Sequence, residues 1–223
     1  KNSRYVFMHV VARRANAAGY VLVVQDVRGK YRSEGDALGP VNEAHDGYDT
    51  LSWITTNQWS DGRVGMFGDS YYGFTQYAAA STGHPALRAL VPRVTTSRMA
   101  INDLVEGDGV IDIPWGTGAA YLLQCWTGPY VNERQPDWFR RPLIAAFDEQ
   151  FEEIGERSFW FDQTIPHHVP IKVYPDGHPV NGRPVPIMHC IGWWDNLAIH
   201  HMRDYLTFAA DAGWAHAQYL WVD

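Results

Sequence analysis

The sequence predicts an α/β protein in which a doubly wound, mostly parallel sheet is interrupted by an inserted helical block. Short apolar runs alternate with segments of helical periodicity in the first part of the chain, disappear in the middle, and return near the end. Alternation of this kind builds parallel sheets that are covered by helices. We therefore divide the chain into a first core part at 1–96, a helical cap at 97–184 and a second core part at 185–223.

The first core part is predicted to begin with a helix, a buried strand and a second helix. Residues 6–18 have helical spacing, and the continuous apolar run 19–25 is typical of a strand that is buried on both faces of a parallel sheet. A polar loop with glycines follows at 26–35, and Asn42 or Glu43 can begin the next helix. The apolar positions of that helix recur at helical spacing: Ala44, Tyr48, Leu51 and Ile54.

The remaining predicted elements lie immediately before Ser70 and after it. They are a strand that ends at Gly68, a helix at 71–81, strands at 87–94 and 186–191, a helix that starts near Ala198, and a strand at 218–222. The apolar residues of the last helix share one face: Ile199, Met202, Leu206 and Ala209. The cap contains a helical stretch marked by Leu143, Phe147, Phe151 and Ile154. Such an inserted block covers the C-terminal edge of the strands, where ligands bind in these sheets.

Composition excludes several classes of function. The chain has 223 residues, 46% hydrophobic and 19% charged, which suffices for one α/β domain or for a core with a cap. A net charge of −7 argues against nucleic acid or an anionic membrane as a partner. No apolar run reaches the roughly 18 residues of a membrane span and no secretory signal is visible, so a cytoplasmic protein is predicted. Cys125 and Cys190 are predicted to be buried free thiols.

Ser70 lies where a predicted strand gives way to a predicted helix, and this position is the strongest indication of function. In a nucleophile elbow the serine occupies a tight strand-to-helix turn, with the next residue's N–H directed at an oxyanion. Gly68 and Gly73 suit a turn in which backbones nearly touch. A Gly-x-Ser sequence also occurs by chance in a chain of this length, so the neighbouring residues have to support this interpretation.

Asp195 is the candidate for the acid of a catalytic triad. A serine hydroxyl needs a base, usually histidine, and a carboxylate that orients the base. In α/β hydrolases the chain order is serine, acid, histidine, and Asp195 directly follows the predicted strand 186–191. The alternative is that Asp195 caps the helix that starts near Ala198. Its position alone leaves both roles open.

Six linked motifs resemble a known family. They are Gln25-Asp26-x-Arg28-Gly29, Ser33-Glu34-Gly35, Asp49-x-x-x-Trp53, Asp61-Gly62-Arg63-Val64-Gly65-Met66-x-Gly68, Ser70-Tyr71-x-Gly73 and Gly192-Trp193-Trp194-Asp195. Together they are similar to the cocaine esterase and Xaa-Pro dipeptidyl-peptidase-like α/β hydrolases, a family that includes cephalosporin acylases and α-amino-acid ester hydrolases. The similarity runs from Gly19 to Arg93 and from Pro186 to Asp223. In the cap it is limited to helical character and many tryptophans.

This resemblance implies roles for particular residues. Ser70 would be the nucleophile, Asp195 the triad acid, and the Tyr71 backbone N–H one oxyanion donor. Members of the family are longer on both sides, so the chain is expected to be a fragment. The second oxyanion donor, a tyrosine hydroxyl, would precede Lys1, and the triad histidine would come just after Asp223.

Other residues with reactive or charged side chains have weaker roles in this interpretation. His200 and Asp204 form an i, i+4 pair that could bind metal, but no third ligand is evident, so neither a metal nor a cofactor is predicted. Asp26 and Arg28 could touch substrate, although a buried ion pair that fixes their loop is favoured. The residues predicted to line a substrate pocket are Trp126, Trp193 and Trp194, with a place in the core as the alternative for the cap tryptophan.

We therefore expect a serine hydrolase that cleaves an ester or amide bond of a small acyl substrate through an acyl-enzyme. Its oligomeric state is open and includes a homo-oligomer. One alternative is an Xaa-Pro dipeptidyl aminopeptidase, which would need an acidic pocket for the substrate α-amine. The candidates for that pocket are Glu106, Asp108 and Asp112. Another alternative is a non-catalytic hydrolase-like protein that binds a ligand or partner through the same pocket.

Overall fold

The computed structural model contains one parallel sheet of four strands. It describes residues 6–29, 32–35, 39–98, 137, 139–142, 145–146, 148–149, 152 and 173–223. The strands are β1 (Val64–Asp69), β2 (Leu87–Arg93), β3 (Ile187–Ile191) and β4 (Gln218–Val222). Their order in the sheet is β1-β2-β3-β4, and each neighbouring pair is parallel. The predicted strands 64–68, 87–94, 186–191 and 218–222 are therefore confirmed to within a residue or two.

The α-helices that the structure describes with both ends are α1 (Val6–Ala17), α2 (Glu43–Thr56), α3 (Tyr71–Ser81) and α4 (Ala198–Ala210). Short 3-10 helices lie at Gly39–Asn42, Pro179–Asn181 and Ala215–Ala217. Asn42 occupies the N-cap position of α2, so the helix begins at Glu43 as the sequence predicts. None of the described helices is both long and apolar enough to cross a bilayer.

The main hydrophobic core lies between α3, α4 and one face of the sheet. Its largest buried side chains include Tyr77 from α3, Leu90 from β2, Ile187 from β3 and Phe208 from α4. The rings of Tyr77 and Phe208 stack, with centroids 5.9 Å apart. Burial of each such side chain contributes about 1.5–3 kcal/mol to the free energy of unfolding, so this layer holds the strand ends in fixed positions.

The predicted strand 19–25 is not a strand in the structure, so this prediction was wrong. The structure gives these residues no ladder partner, and Tyr20, Val21 and Val24 are largely exposed. An extended apolar segment becomes a strand only when its N–H and C=O groups find a neighbouring strand. Among the described residues none of the strands forms a ladder with this segment, so its backbone groups gain no strand partner.

Helix α4 buries a different face from the one that its apolar pattern predicted. Ile199 and Leu206 are 67% and 57% exposed, whereas His201, Asp204 and Phe208 are buried. Polar side chains can occupy the core side only when hydrogen bonds compensate for the loss of water. The compensating bonds come from the segment after β2 and are described below.

Most of the predicted cap lies outside the described residues, including Trp126, Cys125, Glu106, Asp108, Asp112 and the four apolar residues Leu143, Phe147, Phe151 and Ile154. Its C-terminal end, residues 173–184, packs on the core. Val173 joins a cluster with Ala44, Phe74 and Ala78, and Trp214 Nε1 donates to Val180 O at 2.7 Å.

Cys190 is a free thiol, as predicted, but it is only half-buried. Burial alternates along β3, with Ile187, His189 and Ile191 buried, so Cys190 points to the opposite face of the sheet.

Candidate active site

Ser70 occupies the tight turn between β1 and α3. Its φ of +53° and ψ of −120° are unfavourable for a residue with a side chain, and such strain concentrates at functional sites. The turn is close-packed, because a Cβ at Gly68 would lie 2.5 Å from Tyr72 Cβ and one at Gly73 would lie 2.4 Å from Thr95 Cγ2. Both positions therefore require glycine, as predicted. The serine itself is exposed.

The peptide group that joins Ser70 to Tyr71 is fixed on its carbonyl side. Ser70 O accepts three hydrogen bonds, from Gly73 N at 2.9 Å, Phe74 N at 3.0 Å and Thr95 Oγ1 at 2.6 Å. Because a peptide group is planar, these bonds also fix the direction of the Tyr71 N–H. That N–H belongs to the first turn of α3, where amides point out of the helix end and the helix dipole favours an anion.

Asp69 places a carboxylate beside the nucleophile, and this carboxylate is paired. Arg93 Nε lies 3.3 Å from Asp69 Oδ1, and both side chains are more than half exposed. An ion pair this exposed contributes at most about 1 kcal/mol. The end of β2 supports the serine more directly through its backbone, because Ser70 N donates to Arg93 O at 2.9 Å.

The side chain of Tyr71 points to α2. Its hydroxyl donates to Glu43 Oε1 at 2.7 Å, and Glu43 is 8% exposed. Burial raises the pKa of Glu43 to about 7, and the bond from Tyr71 partly opposes this shift. Burial and the neighbouring Glu43 charge raise the pKa of Tyr71 as well, so the phenol stays protonated and remains the donor.

Asp195 follows β3 at the same edge of the sheet as Ser70. Its Oδ1 accepts from Leu197 N at 2.7 Å, which fixes the turn before α4. This bond uses one carboxylate oxygen in the manner of a helix cap, the alternative that the sequence left open. β1 and β3 are second neighbours in the sheet, so their C-terminal ends lie roughly 10 Å apart.

The ends of β3 and β4 are joined by backbone hydrogen bonds. Trp193 N donates to Asp223 O at 2.9 Å, and Asp223 N donates to Ile191 O at 3.1 Å. The turn that carries Asp195 therefore adjoins the end of β4. Trp193 and Trp194, predicted to line the substrate pocket, are 67% and 99% exposed at this edge.

A second serine, Ser97, also lies beside a histidine and an aspartate. Ser97 Oγ donates to Asp204 Oδ1 at 2.6 Å, and Ser97 N donates to Asp204 Oδ2 at 2.6 Å. His178 Nε2 lies 2.8 Å from the same hydroxyl oxygen. Ser97 and Asp204 are fully buried, and burial raises the pKa of Asp204 to about 6 although the bonds from Ser97 oppose this.

Hydrogen bonding assigns the tautomer of His178. Its Nδ1 accepts from Val180 N at 3.2 Å, so the ring proton of the neutral imidazole is on Nε2. Nε2 then donates to Ser97 Oγ, whose own proton goes to Asp204. Burial lowers the pKa of His178 to about 4. His178 is therefore a neutral donor and cannot accept the Ser97 proton in this arrangement.

Two further histidines are buried beside this cluster. His189 bonds to the Tyr77 hydroxyl through Nδ1 at 3.2 Å and to Gln218 Oε1 through Nε2 at 2.9 Å. Burial lowers its pKa to about 4. His201 Nδ1 accepts from Thr95 N at 3.4 Å, and burial together with His189 lowers its pKa to about 3. Within the described residues, His201 Nε2 is buried without a hydrogen-bond partner.

Arg28 forms an ion pair, but not with the residue that the sequence suggested. Its guanidinium bonds the carboxylate of Asp46 in α2 through two nitrogens, with Nε at 3.1 Å from Oδ2. Hydrogen bonding and the charge of Asp46 raise the pKa of Arg28. Asp26 instead contributes its backbone oxygen, which accepts from Ser33 Oγ at 2.9 Å. The pair links the loop to α2, and the Arg28 side chain is 44% exposed rather than buried.

His200 and Asp204 are the i, i+4 pair that the sequence suggested as a candidate for metal binding. The Asp204 carboxylate is occupied by Ser97, and in the described part of the chain no group of three metal-ligating side chains comes together.

Comparison with known proteins identifies the family. The chain matches the X-Pro dipeptidyl-peptidase (S15) family over residues 2–222. It belongs to this family. The relationship predicted from the six sequence motifs is thereby confirmed, and so is the prediction of a hydrolase family.

Individual relatives are esterases and peptidases by name. The chain is 42% identical over 111 residues to cocaine esterase of Rhodococcus sp. (strain MB1 Bresler), a match that covers 49% of this chain and 17% of that protein. It resembles the crystal structure of an aminopeptidase from the marine sediment archaeon Thaumarchaeota archaeon, with a TM-score of 0.63 and 26% identity over 93% of this chain and 38% of the other.

A third relative is an α-amino-acid ester hydrolase, with a TM-score of 0.58 and 26% identity over 93% of this chain and 37% of the other. These structures confirm the predicted α/β-hydrolase fold. The chain spans less than two fifths of the length of each of the three relatives.

Sequence reasoning missed three residues around the site: Glu43, Thr95 and Ser97. Glu43 was noted only as a helix start. The run Thr95-Thr96-Ser97 directly follows β2, and polar residues just past the C-terminal end of a parallel strand are a signal that could have drawn attention to it.

Proposed function

We propose that this S15-family chain is the core of a serine hydrolase, in which Ser70 attacks the carbonyl of a small ester or amide substrate. The observation that best supports this proposal is the geometry of Ser70. The residue is exposed in a strained strand-to-helix turn, beside an N–H of the first turn of α3. A serine held in such a turn presents its hydroxyl to a substrate above the sheet edge.

The chemistry would proceed in two steps. Ser70 Oγ attacks the carbonyl carbon, its proton passes to a base, and the carbonyl oxygen becomes an oxyanion that the Tyr71 N–H stabilises. Collapse of this intermediate expels the alcohol or amine, which takes up the proton, and leaves an ester on Ser70. Water then attacks the ester while the same base takes its proton. Collapse of this second intermediate releases the acid and returns the proton to Ser70.

The base in this proposal is a histidine that follows β4. Among the described residues no histidine bonds to Ser70 or Asp195, and the buried histidines 178, 189 and 201 already contact other core groups. Support comes from the backbone bonds that bring the end of β4 against the turn of Asp195. Asp195 would then orient this histidine with the carboxylate oxygen that does not bond Leu197 N.

Trp193 and Trp194 are the residues that line the substrate pocket in this proposal. Trp193 and Trp194 present exposed aromatic surface at the edge where Ser70 lies, which suits an apolar acyl group or leaving group. A cytoplasmic location is a further prediction, to be measured by cell fractionation, and light scattering measures whether the protein forms a homo-oligomer.

A fluorophosphonate probe tests the proposed nucleophile in the full-length protein. We expect one adduct, located on Ser70 by mass spectrometry of the digested protein, and no adduct in the Ser70→Ala variant. Ser52 is a matched control, because its Oγ lies 3.2 Å from His84 Nε2 but it stands in the middle of α2. Labelling of the Ser52→Ala variant should equal that of the wild type. An adduct elsewhere with Ser70 unmodified contradicts the proposal, and no adduct at all favours the non-catalytic alternative.

The family description favours a second candidate function, the release of Xaa-Pro dipeptides. Turnover of Ala-Pro-p-nitroanilide compared with that of a p-nitrophenyl ester distinguishes the two candidates. A dipeptidyl-peptidase should lose activity when the substrate α-amine is acetylated, because it must bind that charge. An esterase has no such requirement. The acidic residues suggested for amine binding lie outside the described residues.

A further inference from the structure

We propose that Thr95 and Glu43 are positioning residues that hold the oxyanion-binding peptide group between Ser70 and Tyr71 from its two sides. This inference rests on the proposed function, since it concerns how the Tyr71 N–H is directed at a reacting carbonyl oxygen. Neither residue contacts the substrate in this proposal. Each acts through an atom of the peptide group or of the residue that carries the N–H.

Thr95 acts on the carbonyl side of the peptide. Its Oγ1 donates to Ser70 O at 2.6 Å, the shortest of the three bonds to that oxygen. The other two donors belong to α3 itself, so Thr95 supplies the only one of the three that ties the peptide to another element. Because the peptide is planar, rotation of the carbonyl would rotate the N–H by the same angle.

Thr95 is itself held rigidly. It is fully buried, its N donates to His201 Nδ1 at 3.4 Å, and its methyl group fills the space that a Cβ at Gly73 would need. The residue directly follows the turn at Val94, whose N donates to Cys190 O at 2.9 Å. These contacts therefore fix the peptide at the end of β1 relative to β3 and α4.

Glu43 acts on the other side, through the Tyr71 side chain. The phenol hydroxyl donates to Glu43 Oε1 at 2.7 Å, and the Tyr71 ring packs 5.8 Å from the buried ring of Phe74. Glu43 is the first residue of α2, and α2 packs along α3. The side chain of Tyr71 is thus fixed to α2. The preceding carbonyl oxygen, Ser70 O, is fixed by Thr95.

Small rotations of an oxyanion donor have large effects on rate. Loss of one donor lowers kcat about 10²–10³-fold, and misplacement by about 1 Å can cost 10²-fold. The energy is realised only when charge develops on the carbonyl oxygen, so the loss should fall on kcat and not on KM. A residue that merely stabilises the fold would change neither value for the folded enzyme.

Thr95→Val tests the carbonyl side, with Thr95→Ser as the conservative partner. Valine keeps the shape of threonine and removes the hydroxyl, and Ser70 O keeps its two helix donors, so no buried oxygen is left unpaired. For hydrolysis of a p-nitrophenyl ester we expect kcat to fall about 10–100-fold in Thr95→Val with KM within about twofold. Thr95→Ser should retain kcat within about threefold.

Tyr71→Phe tests the Glu43 side. It keeps the backbone N–H and the ring and removes the hydroxyl, and we expect kcat to fall about 3–30-fold with KM unchanged. Glu43→Leu should lower kcat to the same extent. The double variant Tyr71→Phe with Glu43→Leu should lose no more kcat than either single variant, because both substitutions remove the same hydrogen bond.

Tyr77→Phe is the matched control for Tyr71→Phe. Tyr77 lies on the same helix and loses a comparable buried bond, to His189, but it does not border the oxyanion peptide. It should lower the urea midpoint and leave kcat within about twofold of the wild type.

The outcomes separate this proposal from the proposed function. Full turnover by Ser70→Ala overturns the function. If Ser70→Ala is inactive while Thr95→Val and Tyr71→Phe keep wild-type kcat, the function stands and the positioning roles are wrong. Equal losses in Thr95→Val and Thr95→Ser also contradict the proposal, because they would assign the effect to methyl packing. A rise in KM at constant kcat in either variant would assign the residues to substrate binding instead.

Discussion

Ser70 and Ser97 follow neighbouring strands of one sheet, and their surroundings differ in an instructive way. Ser97 has both a histidine and an aspartate within hydrogen-bond distance, whereas Ser70 has neither among the described residues. By a count of neighbouring residue types, Ser97 would be the catalytic serine. Its burial and its bonding pattern point the other way, because its proton is given to Asp204 and His178 donates to it.

The difference between the two serines shows that a nucleophile depends on backbone placement and access. Ser70 is exposed, strained and next to an outward-pointing amide, which is the arrangement that acyl transfer requires. Ser97 joins the end of β2 to α4 and to the C-terminal end of the predicted cap. Its hydrogen bonds satisfy the carboxylate of Asp204, which is why a helix can bury an aspartate on its core side.

The largest expected effect separates the two serines directly. Ser70→Ala should lower kcat about 10⁶-fold if a complete triad operates, because the group that forms the acyl-enzyme is lost. Ser97→Ala should leave kcat per folded molecule unchanged. Steady-state turnover of a p-nitrophenyl ester, normalised to folded protein, measures both. A large loss in Ser97→Ala with an active Ser70→Ala would reverse the assignment of the nucleophile.

The next effect concerns Asp195. Asp195→Asn should lower kcat about 10⁴-fold, because an asparagine does not hold the base in the correct tautomer. The bond to Leu197 N should survive, since asparagine caps a helix about as well as aspartate. The thermal midpoint is therefore expected to stay close to that of the wild type. Near wild-type turnover in a folded Asp195→Asn variant would leave Asp195 with the capping role alone.

The Ser97 cluster should respond in stability where the elbow responds in rate. Ser97→Ala removes the hydroxyl donor from a buried carboxylate and should lower the free energy of unfolding by about 1–3 kcal/mol. Urea titration measures the change, and Ser52→Ala, which removes a partly exposed Ser–His contact, should change it by less than about 0.5 kcal/mol. Equal stability of the two variants would show that the Ser97–Asp204 bond contributes little.

The last effect is a change in the pH dependence of stability. Burial lowers the pKa of His201 to about 3, below its unfolded value of about 6.5. The stability that neutral His201 contributes is fully present above pH 6.5 and is lost as the pH falls from there through about 3. In that window one histidine changes the slope by up to about 1.4 kcal/mol per pH unit.

The difference between the wild type and His201→Asn isolates this histidine. Glu43 and Asp204 have raised pKa values, so the stability contributed by their protonated forms is lost as the pH rises through about 6–7, which offsets part of the wild-type slope. Asparagine cannot titrate and can still accept from Thr95 N. We expect the urea midpoint of the His201→Asn variant to fall less steeply below pH 6.5 than that of the wild type. Parallel curves would mean that His201 titrates normally.

Many local features could be predicted from the sequence because they depend on residues close together in the chain. The strand, the two glycines and the helix around Ser70 are such a case, since a strained turn excludes side chains whatever surrounds it. The boundaries of α2 and α3 followed from apolar spacing and from polar residues at the helix start. The family relationship followed from motifs whose order along the chain is itself sequence information.

Contacts between distant residues could not be predicted in this way. The sequence placed Arg28 in an ion pair but could not identify Asp46 as the partner, because the choice depends on where the loop meets α2. The apolar spacing of α4 indicated Ile199 and Leu206 as its inner face. Ser97 and Thr95 instead supply the hydrogen bonds to Asp204 and His201 that allow the polar face to be buried.

By itself the sequence determined the order along the chain of β1 to β4 and of the helices around them, the family and the turn that carries Ser70. These depend on side-chain periodicity and on glycine at positions of unusual backbone conformation, which act over a few residues. The sequence also predicted a strand at 19–25 that the structure does not form. Only the tertiary structure decided which serine is accessible, which polar groups are buried, and that Thr95 contacts the Ser70 carbonyl while Glu43 contacts the Tyr71 hydroxyl. Such contacts join residues 25 and 28 positions apart, and their free energy appears only once the sheet and its helices are assembled.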